Sequence, residues 1–530
     1  MSTVEATKAQ STSAGKRSEL WRSIWRTHFY AAIISFPVMA WFAISGLVIL
    51  YQQPLKAWVH HDLVHVTQTG SPSSLDRQLA SAQRAYPSFT LSSVTPARKA
   101  DESTTFSMVD GKGTAHDVYV NPYNERVLGQ TIAGAADLTD FARSYHGSLL
   151  PRSILVPMPA LAGLLGSGPG VMHIELGEVL VEIFAGWGLV LAVTGIYLWV
   201  PRRRGSGRAM FVPKLSRRGR PLWRDLHAVV GWFLACMLAF FVVSGLPWSS
   251  FWGANWSAFA AKVTPNQQVD FWSWEGPSSK LPHLGDVSRD GTPVAWAGKD
   301  DVLPASMPPS MPGMNMGSMA KPSTTNAAGN IAAVASLDSV VRAAHDEGML
   351  PGYTITPPSN ADLKGKHPRY GVWVLTNPWP SSLGQQGAVY LNEFTAATLA
   401  RSDASTWGAL QRGTELGVQS HMGTEFGLLN RIVLTLACLA VLWSITTGAL
   451  MWNARRRAGT LGIPRRPVNP RMQRVFGITA VGLAVIYPLW GCTLLLALGV
   501  DRFVVRRSAK LRRAFGMDAS LAEVEVDEAS

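Results

Sequence analysis

Five histidines stand at or beside the ends of long apolar segments, and they are the residues through which chemistry enters this chain. His28 opens THFYAAIISFPVMAWFAISGLVILY, and His227 opens LHAVVGWFLACMLAFFVVSGL. His173 precedes the segment that begins IELGEVLVEIFAGW, His421 precedes MGTEFGLLNRIVLTLACLAVLW, and His146 lies in YHGSLL. An imidazole at a membrane-helix end is either a solvated interfacial group or a ligand facing the bundle interior. For a single histidine the first reading is the commoner one. Recurrence in four segments points instead to paired axial ligands for haem, which requires imidazoles from facing helices.

The elements that must position these rings are written in the composition. The chain has 530 residues, of which 47% are hydrophobic and 16% charged. A membrane-spanning helix needs ~20 apolar residues, and several segments reach that length. The net charge of +13 would suit nucleic acid on a soluble protein. Here the basic runs Lys16-Arg17, Arg202-Arg203-Arg204, Arg217-Arg218, Arg455-Arg456-Arg457 and Arg465-Arg466 flank apolar segments, so membrane topology accounts for them and no nucleic-acid partner is expected. Cys236, Cys438 and Cys492 all lie within apolar segments and form no CxxC or CxxCH pattern, which argues against a disulfide framework and covalent c-type haem.

The positive-inside rule orients four helices consistently. A basic cytoplasmic N-terminus (1–28) leads into an outward helix (29–51). An inward helix (177–200) ends in PRRR, and a basic loop (201–225) returns the chain to an outward helix (226–248). A further inward helix (428–452) ends in NARRR. The apolar stretch 475–500 is interrupted by Pro488 and Gly491 and reads either as one helix or as a short hairpin before the tail 501–530. Two polar segments, 52–173 and 249–422, are then extracytoplasmic. The first contains SLDRQLASAQRAYPSF followed by HDVYVNPYNERVLGQT. The second contains SLDSVVRAAHDEGML followed by GAVYLNEFTAATLAR. Each reads as an amphipathic helix and then strands, with Val118 and Val120, and Val389 and Leu391, on one strand face.

VYVNPYNERVLG and VYLNEFTAATLA resemble the strand–turn–strand signature of the PepSY-associated transmembrane family. GWGLVLAVTGIYLWVPRR, LWRDLHAVVGW, HMGTEFGLLNR and TTGALMW resemble its membrane motifs. The chain departs from the signature at Asn124-Glu125 and Thr395-Ala396-Ala397, where a glycine often follows the turn. The resemblance, over about Trp25 to Arg502, implies a mainly α membrane protein: a bundle of at least four transmembrane helices with two extracytoplasmic α+β PepSY-like domains. The family includes inner-membrane ferric-siderophore reductases that bind two b-type haems, so it also implies haem b, probable oxidoreductase activity and a role in iron transport. It also includes members that look like regulators or inhibitors, which keeps a non-catalytic sensor of a periplasmic peptide or protein as a second reading.

Under the reductase reading, His28 and His227 ligate an inner haem. His173 and His421 ligate an outer one, with His146 as a competing ligand. No P-loop and no GxGxxG after a strand is present, so electrons must come from a membrane quinol or a separate donor protein. Gly46, Gly195, Gly245 and Gly448, in the dipeptides SG, TG, SG and TG, permit close approach of a backbone or a flat macrocycle. Arg26 and Arg224 are either topology anchors or partners for haem propionates. Glu175, Glu178 and Glu182 share a helical face and, with His173, form a candidate iron site. The loop MPPSMPGMNMGSM places Met307, Met311, Met314, Met316 and Met319 where thioethers would select Cu(I), which makes copper handling a third reading; a flexible low-complexity insertion is the alternative.

Overall fold

The computed structural model describes residues 3–132, 138–150, 154–159, 171–200, 211–249, 251–263, 295–298, 303–304, 306, 334–358, 371–377, 380–456, 461–463, 477–478, 481–482, 484–485, 487–515 and 517. The chain divides into two compact units. A helical unit gathers Met1–Leu47, His146–Gly253 and Val433–Ser530, and a sheet unit gathers Val48–Tyr145 and Ala254–Ile432.

Five helices are long and apolar enough to cross a membrane: Leu20–Leu50, Leu176–Trp199, Arg220–Trp248, Gly427–Asn453 and Pro488–Arg507. They expose large apolar side chains such as Phe36, Val193, Val243, Leu428 and Leu495, as lipid-facing surfaces do. The first is the end of a longer helix, Thr3–Leu50, so His28 stands inside a continuous helix rather than at its start. The residues before it contain no proline and so nothing that breaks the helix. The third helix starts at Arg220, earlier than hydropathy suggests, because Pro221 supplies a first-turn residue that needs no N–H partner.

The C-terminal apolar stretch bends sharply at Tyr487. Pro488 begins a helix that runs to Phe503. In one straight helix, residues seven apart are separated by about 10 Å. A Cβ built on Gly491 would instead lie 2.9 Å from Ala484 Cα. Beyond this helix, Phe515 stacks on Tyr30 with ring centroids 6.1 Å apart, and Leu461 N donates to Ala514 O. The basic tail segment therefore packs beside the basic end of the first helix.

In the sheet unit the two repeats do not form separate sheets. Strands β1 (Thr90–Thr95), β2 (Thr104–Val109), β3 (Ala115–Val120) and β4 (Val127–Ile132) form one antiparallel meander. A separate hairpin in the helical unit pairs β5 (Leu155–Pro159) with β6 (Val171–Glu175). Strands β7 (Thr354–Thr356), β8 (Val372–Thr376), β9 (Gly387–Asn392) and β10 (Thr398–Asp403) form the second meander. β1 pairs antiparallel with β7, giving one eight-stranded sheet in the order β10-β9-β8-β7-β1-β2-β3-β4. One core serves both repeats: Val118, Val120, Val389 and Leu391 are buried in the same cluster as Leu75, Val340 and Ile355.

The repeats correspond residue by residue at their turns. Asn121 Oδ1 accepts from Tyr123 N, and Asn392 Oδ1 accepts from Phe394 N, both at 2.9 Å. Four residues beyond each asparagine the backbone is left-handed, at Glu125 (φ 59°) and Ala396 (φ 56°). These are the turns where the sequence departs from a glycine, so here a side chain is held in a conformation that ordinarily disfavours it.

The helices Leu75–Ala85 and Leu337–Asp346 exchange caps. Leu75 N donates to Asp338 Oδ1 at 2.9 Å, while Leu337 N and Asp338 N donate to Asp76 Oδ1 and Oδ2 at 3.0 and 3.2 Å. Ser74 and Ser336 cap their own helices. Burial, followed by the hydrogen bond with Asp338, raises the Asp76 carboxyl above the ordinary aspartate range. A raised carboxyl favours the folded state below its unfolded pKa, and that contribution is lost as pH rises through the folded value. Asp338→Asn keeps an acceptor for Leu75 N and offers a donor to Asp76. It is expected to raise the unfolding temperature in detergent by about 2 °C at pH 7, with the gain fading below pH ~4; a loss at pH 7 would show that the two charges are net favourable.

Candidate functional site

Two of the histidines meet inside the helical unit. The rings of His28, on the first membrane helix, and His227, on the third, have centroids 6.5 Å apart and planes at 87°. Each is fixed by a hydroxyl on a neighbouring helix. His28 Nδ1 lies 2.9 Å from Thr194 Oγ1, and His227 Nδ1 lies 3.0 Å from Thr447 Oγ1.

The direction of these bonds follows from what else the hydroxyls do. Thr194 donates its single proton to Val190 O one turn back, and Thr447 donates to Trp443 O at 2.8 Å. Each hydroxyl then has only lone pairs for the histidine, so Nδ1 carries the proton. Nε2 is left as the unprotonated nitrogen of each ring, the form that ligates a metal.

The next residue completes each seat. A Cβ on Gly195 would lie 3.4 Å from His28 Cε1, and one on Gly448 would lie 3.9 Å from His227 Cε1. Each ring edge thus packs at van der Waals distance from the glycine beside its hydroxyl. A third seat repeats the pattern. His146, in the helix Leu138–Gly147, lies with Nδ1 2.8 Å from Ser45 Oγ, and Ser45 donates to Trp41 O at 2.7 Å. A Cβ on Gly46 would meet His146 Cε1 at 3.6 Å and Cys438 Sγ at 3.5 Å. Phe42 flanks the ring at 5.4 Å between centroids.

The first two seats fit an iron held between imidazoles. Two metal–nitrogen bonds of about 2 Å, each with about 1 Å more to its ring centre, place such rings roughly 6 Å apart. His146 has the same tautomer and the same backing. His173 lies on β6, and its side chain is outside the described residues. His421 stands in the last turn of the helix Ala409–Met422, in the sheet unit.

The remaining candidates divide. Glu182 is buried, and its Oε2 accepts from the N–H groups of Phe251 and Trp252, both at 3.1 Å. That carboxylate caps the helix Phe251–Val263, a role the sequence did not suggest. Glu175 and Glu178 are half-buried. Among the described residues no three His, Cys, Asp or Glu side chains gather as a metal cluster. Met307, Met311, Met314, Met316 and Met319 lie outside the described residues. Arg26 is buried and donates to Tyr30 OH at 2.8 Å, whereas Arg224 is exposed. Sequence reasoning found the glycines but passed over the hydroxyls before them. The signal was the dipeptide itself.

The seats make a stability prediction. Thr194→Val keeps the shape and removes the acceptor, leaving a buried Nδ1–H unpaired at a cost of about 1–3 kcal/mol. Thermal unfolding in detergent is expected to register that loss, and Thr194→Ser is expected to recover most of it. Equal stability of the valine and serine variants would show that the bond does not hold the ring.

No curated protein matches the chain. A family model described as the PepSY-associated TM region matches residues 25–455, which contain the first membrane helix from Trp25 onward, the next three membrane helices and the whole eight-stranded sheet. The chain therefore belongs to the PepSY-associated transmembrane family.

Proposed function

We propose that this protein is a haem b reductase of the bacterial cytoplasmic membrane, passing electrons outward to an extracytoplasmic metal complex, with a ferric siderophore as the leading substrate. The observation that carries the reading is the facing pair His28 and His227, each with Nδ1 engaged by a threonine and Nε2 left unprotonated. Haem bound there supplies one-electron redox chemistry inside the membrane.

The protein's own part is to orient and to insulate. Thr194 and Thr447 set the tautomer and ring angle, and the imidazoles pack beside Gly195 and Gly448. His146 on Ser45-Gly46 supplies the first ligand of an outer site. The second outer ligand comes from His173 or His421, and electrons enter from a quinol or a donor protein. Ser45 lies seventeen residues beyond His28 on one continuous helix, or about 26 Å along its axis. That is close to the thickness of the hydrocarbon core, about 30 Å, which supports an inner and an outer site on opposite faces of the membrane.

Protein purified with an adequate haem supply is expected to carry two b-type haems per chain, and reductant-loaded protein is expected to be reoxidised on adding a ferric hydroxamate. His28→Ala and His227→Ala should each remove one haem and leave the other, while His61→Ala, at an exposed histidine, should remove none. Haem-free wild-type protein would overturn the reading.

A further inference from the structure

The three seats described share one construction: a Ser or Thr that donates to the carbonyl four residues back, accepts from a histidine Nδ1, and is followed by glycine. The chain has a fourth hydroxyl–glycine pair with the same bond to the carbonyl four residues back. Ser244 is buried on the third membrane helix and donates to Phe240 O at 2.7 Å, and Gly245 follows it. Its place is not arbitrary. Ser244 lies seventeen residues beyond His227, as Ser45 lies seventeen beyond His28. The first and third helices thus carry the same two functional points, a ligand histidine near one end and a hydroxyl–glycine pair near the other. The second and fourth helices carry only the threonine–glycine pairs that receive those histidines. With three pairs seating imidazoles, the repeat leaves Ser244-Gly245 as the counterpart of Ser45-Gly46.

We propose that Ser244-Gly245 is a fourth imidazole seat, positioning the second ligand of the outer site as Ser45-Gly46 positions His146. This deepens the reductase reading and rests on it for the identity of the metal, but the seat itself is a claim about a histidine tautomer and stands without haem. Ser244 is a positioning residue: its hydroxyl proton is committed to Phe240 O, so its oxygen accepts and the incoming ring must present Nδ1–H. Gly245 gives the ring access to the backbone. Ser35 offers an internal comparison. It is fully buried and makes the same bond to Ala31 O at 2.6 Å, but Phe36 follows it, so it lacks the second half of a seat.

The test uses full-length protein labelled with 15N in its histidine rings. Nitrogen spectra of haem-free protein distinguish Nδ1–H from Nε2–H rings among the twelve histidines, and the wild-type Nδ1–H signals, four of them from the seats, set the reference count. Ser244→Val should reduce that count by one, Ser244→Thr should restore it, and Ser35→Ala should leave it unchanged. In haem-loaded protein, Gly245→Val and Gly46→Val should each lower the content from two haems to one. His173→Ala and His421→Ala then identify the ring, since only one of them should also remove an Nδ1–H signal. An unchanged count in Ser244→Val, or two haems retained in Gly245→Val while Gly46→Val loses one, would overturn the seat. Absence of haem from wild-type protein, in which Ser244→Val still removes one Nδ1–H signal, would overturn the reductase reading and leave the seat standing.

Discussion

A hydroxyl has one proton, and the arrangement of this helical unit depends on where that proton goes. In Ser45, Thr194 and Thr447 it goes to the helix's own carbonyl one turn back. That bond turns each hydroxyl into a pure acceptor toward the neighbouring helix, so each arriving histidine must donate from Nδ1. The consequence is chemical as well as structural. An imidazole held by its Nδ1–H keeps a lone pair on Nε2, and a ring held by a directional bond cannot turn that lone pair away. In an apolar interior such a bond is hard to replace, because a lost partner leaves a buried polar group without water to satisfy it.

The same economy appears in the sheet unit. Asp76 and Asp338 each cap the helix of the other repeat, and β1 and β7 join the repeats' sheets edge to edge. Two copies of a short α+β motif, each with an unpaired edge strand if alone, close one shared core instead. The helical unit repeats in parallel: a histidine helix and a threonine–glycine helix, twice. One helix–sheet–helix plan thus recurs in the chain, with the fifth membrane helix and the β5–β6 hairpin added to it.

Much of this was legible in the sequence, for local reasons. Apolar length gives the helices, and VYVN and VYLN mark β3 and β9 with their asparagine turns. The turn residues Glu125 and Ala396 stood out as departures from glycine, and both occupy the left-handed region. What was not legible depends on distance along the chain. The pairing of Val94 with Ile355 joins residues 261 apart in sequence, and no local pattern announces it. The Glu182 cap depends on where the chain returns after the third helix. Histidine positions along separate helices do not fix contacts either, and His146 gains its standing only from Ser45. The spacing of seventeen residues that links the first and third helices was present all along, but it acquires meaning only once three hydroxyls are seen holding rings.

The central claim is that His28 and His227 are two ligands of one iron, held with their planes nearly perpendicular. Low-temperature electron paramagnetic resonance of the oxidised, haem-loaded protein tests it most directly, because the low-spin ferric signal depends on the angle between axial imidazoles. The account predicts a strongly anisotropic low-spin signal, of the kind crossed imidazole planes produce, that disappears in His227→Ala. A ferric haem signal unchanged in His227→Ala, or no low-spin ferric signal at all, would contradict it.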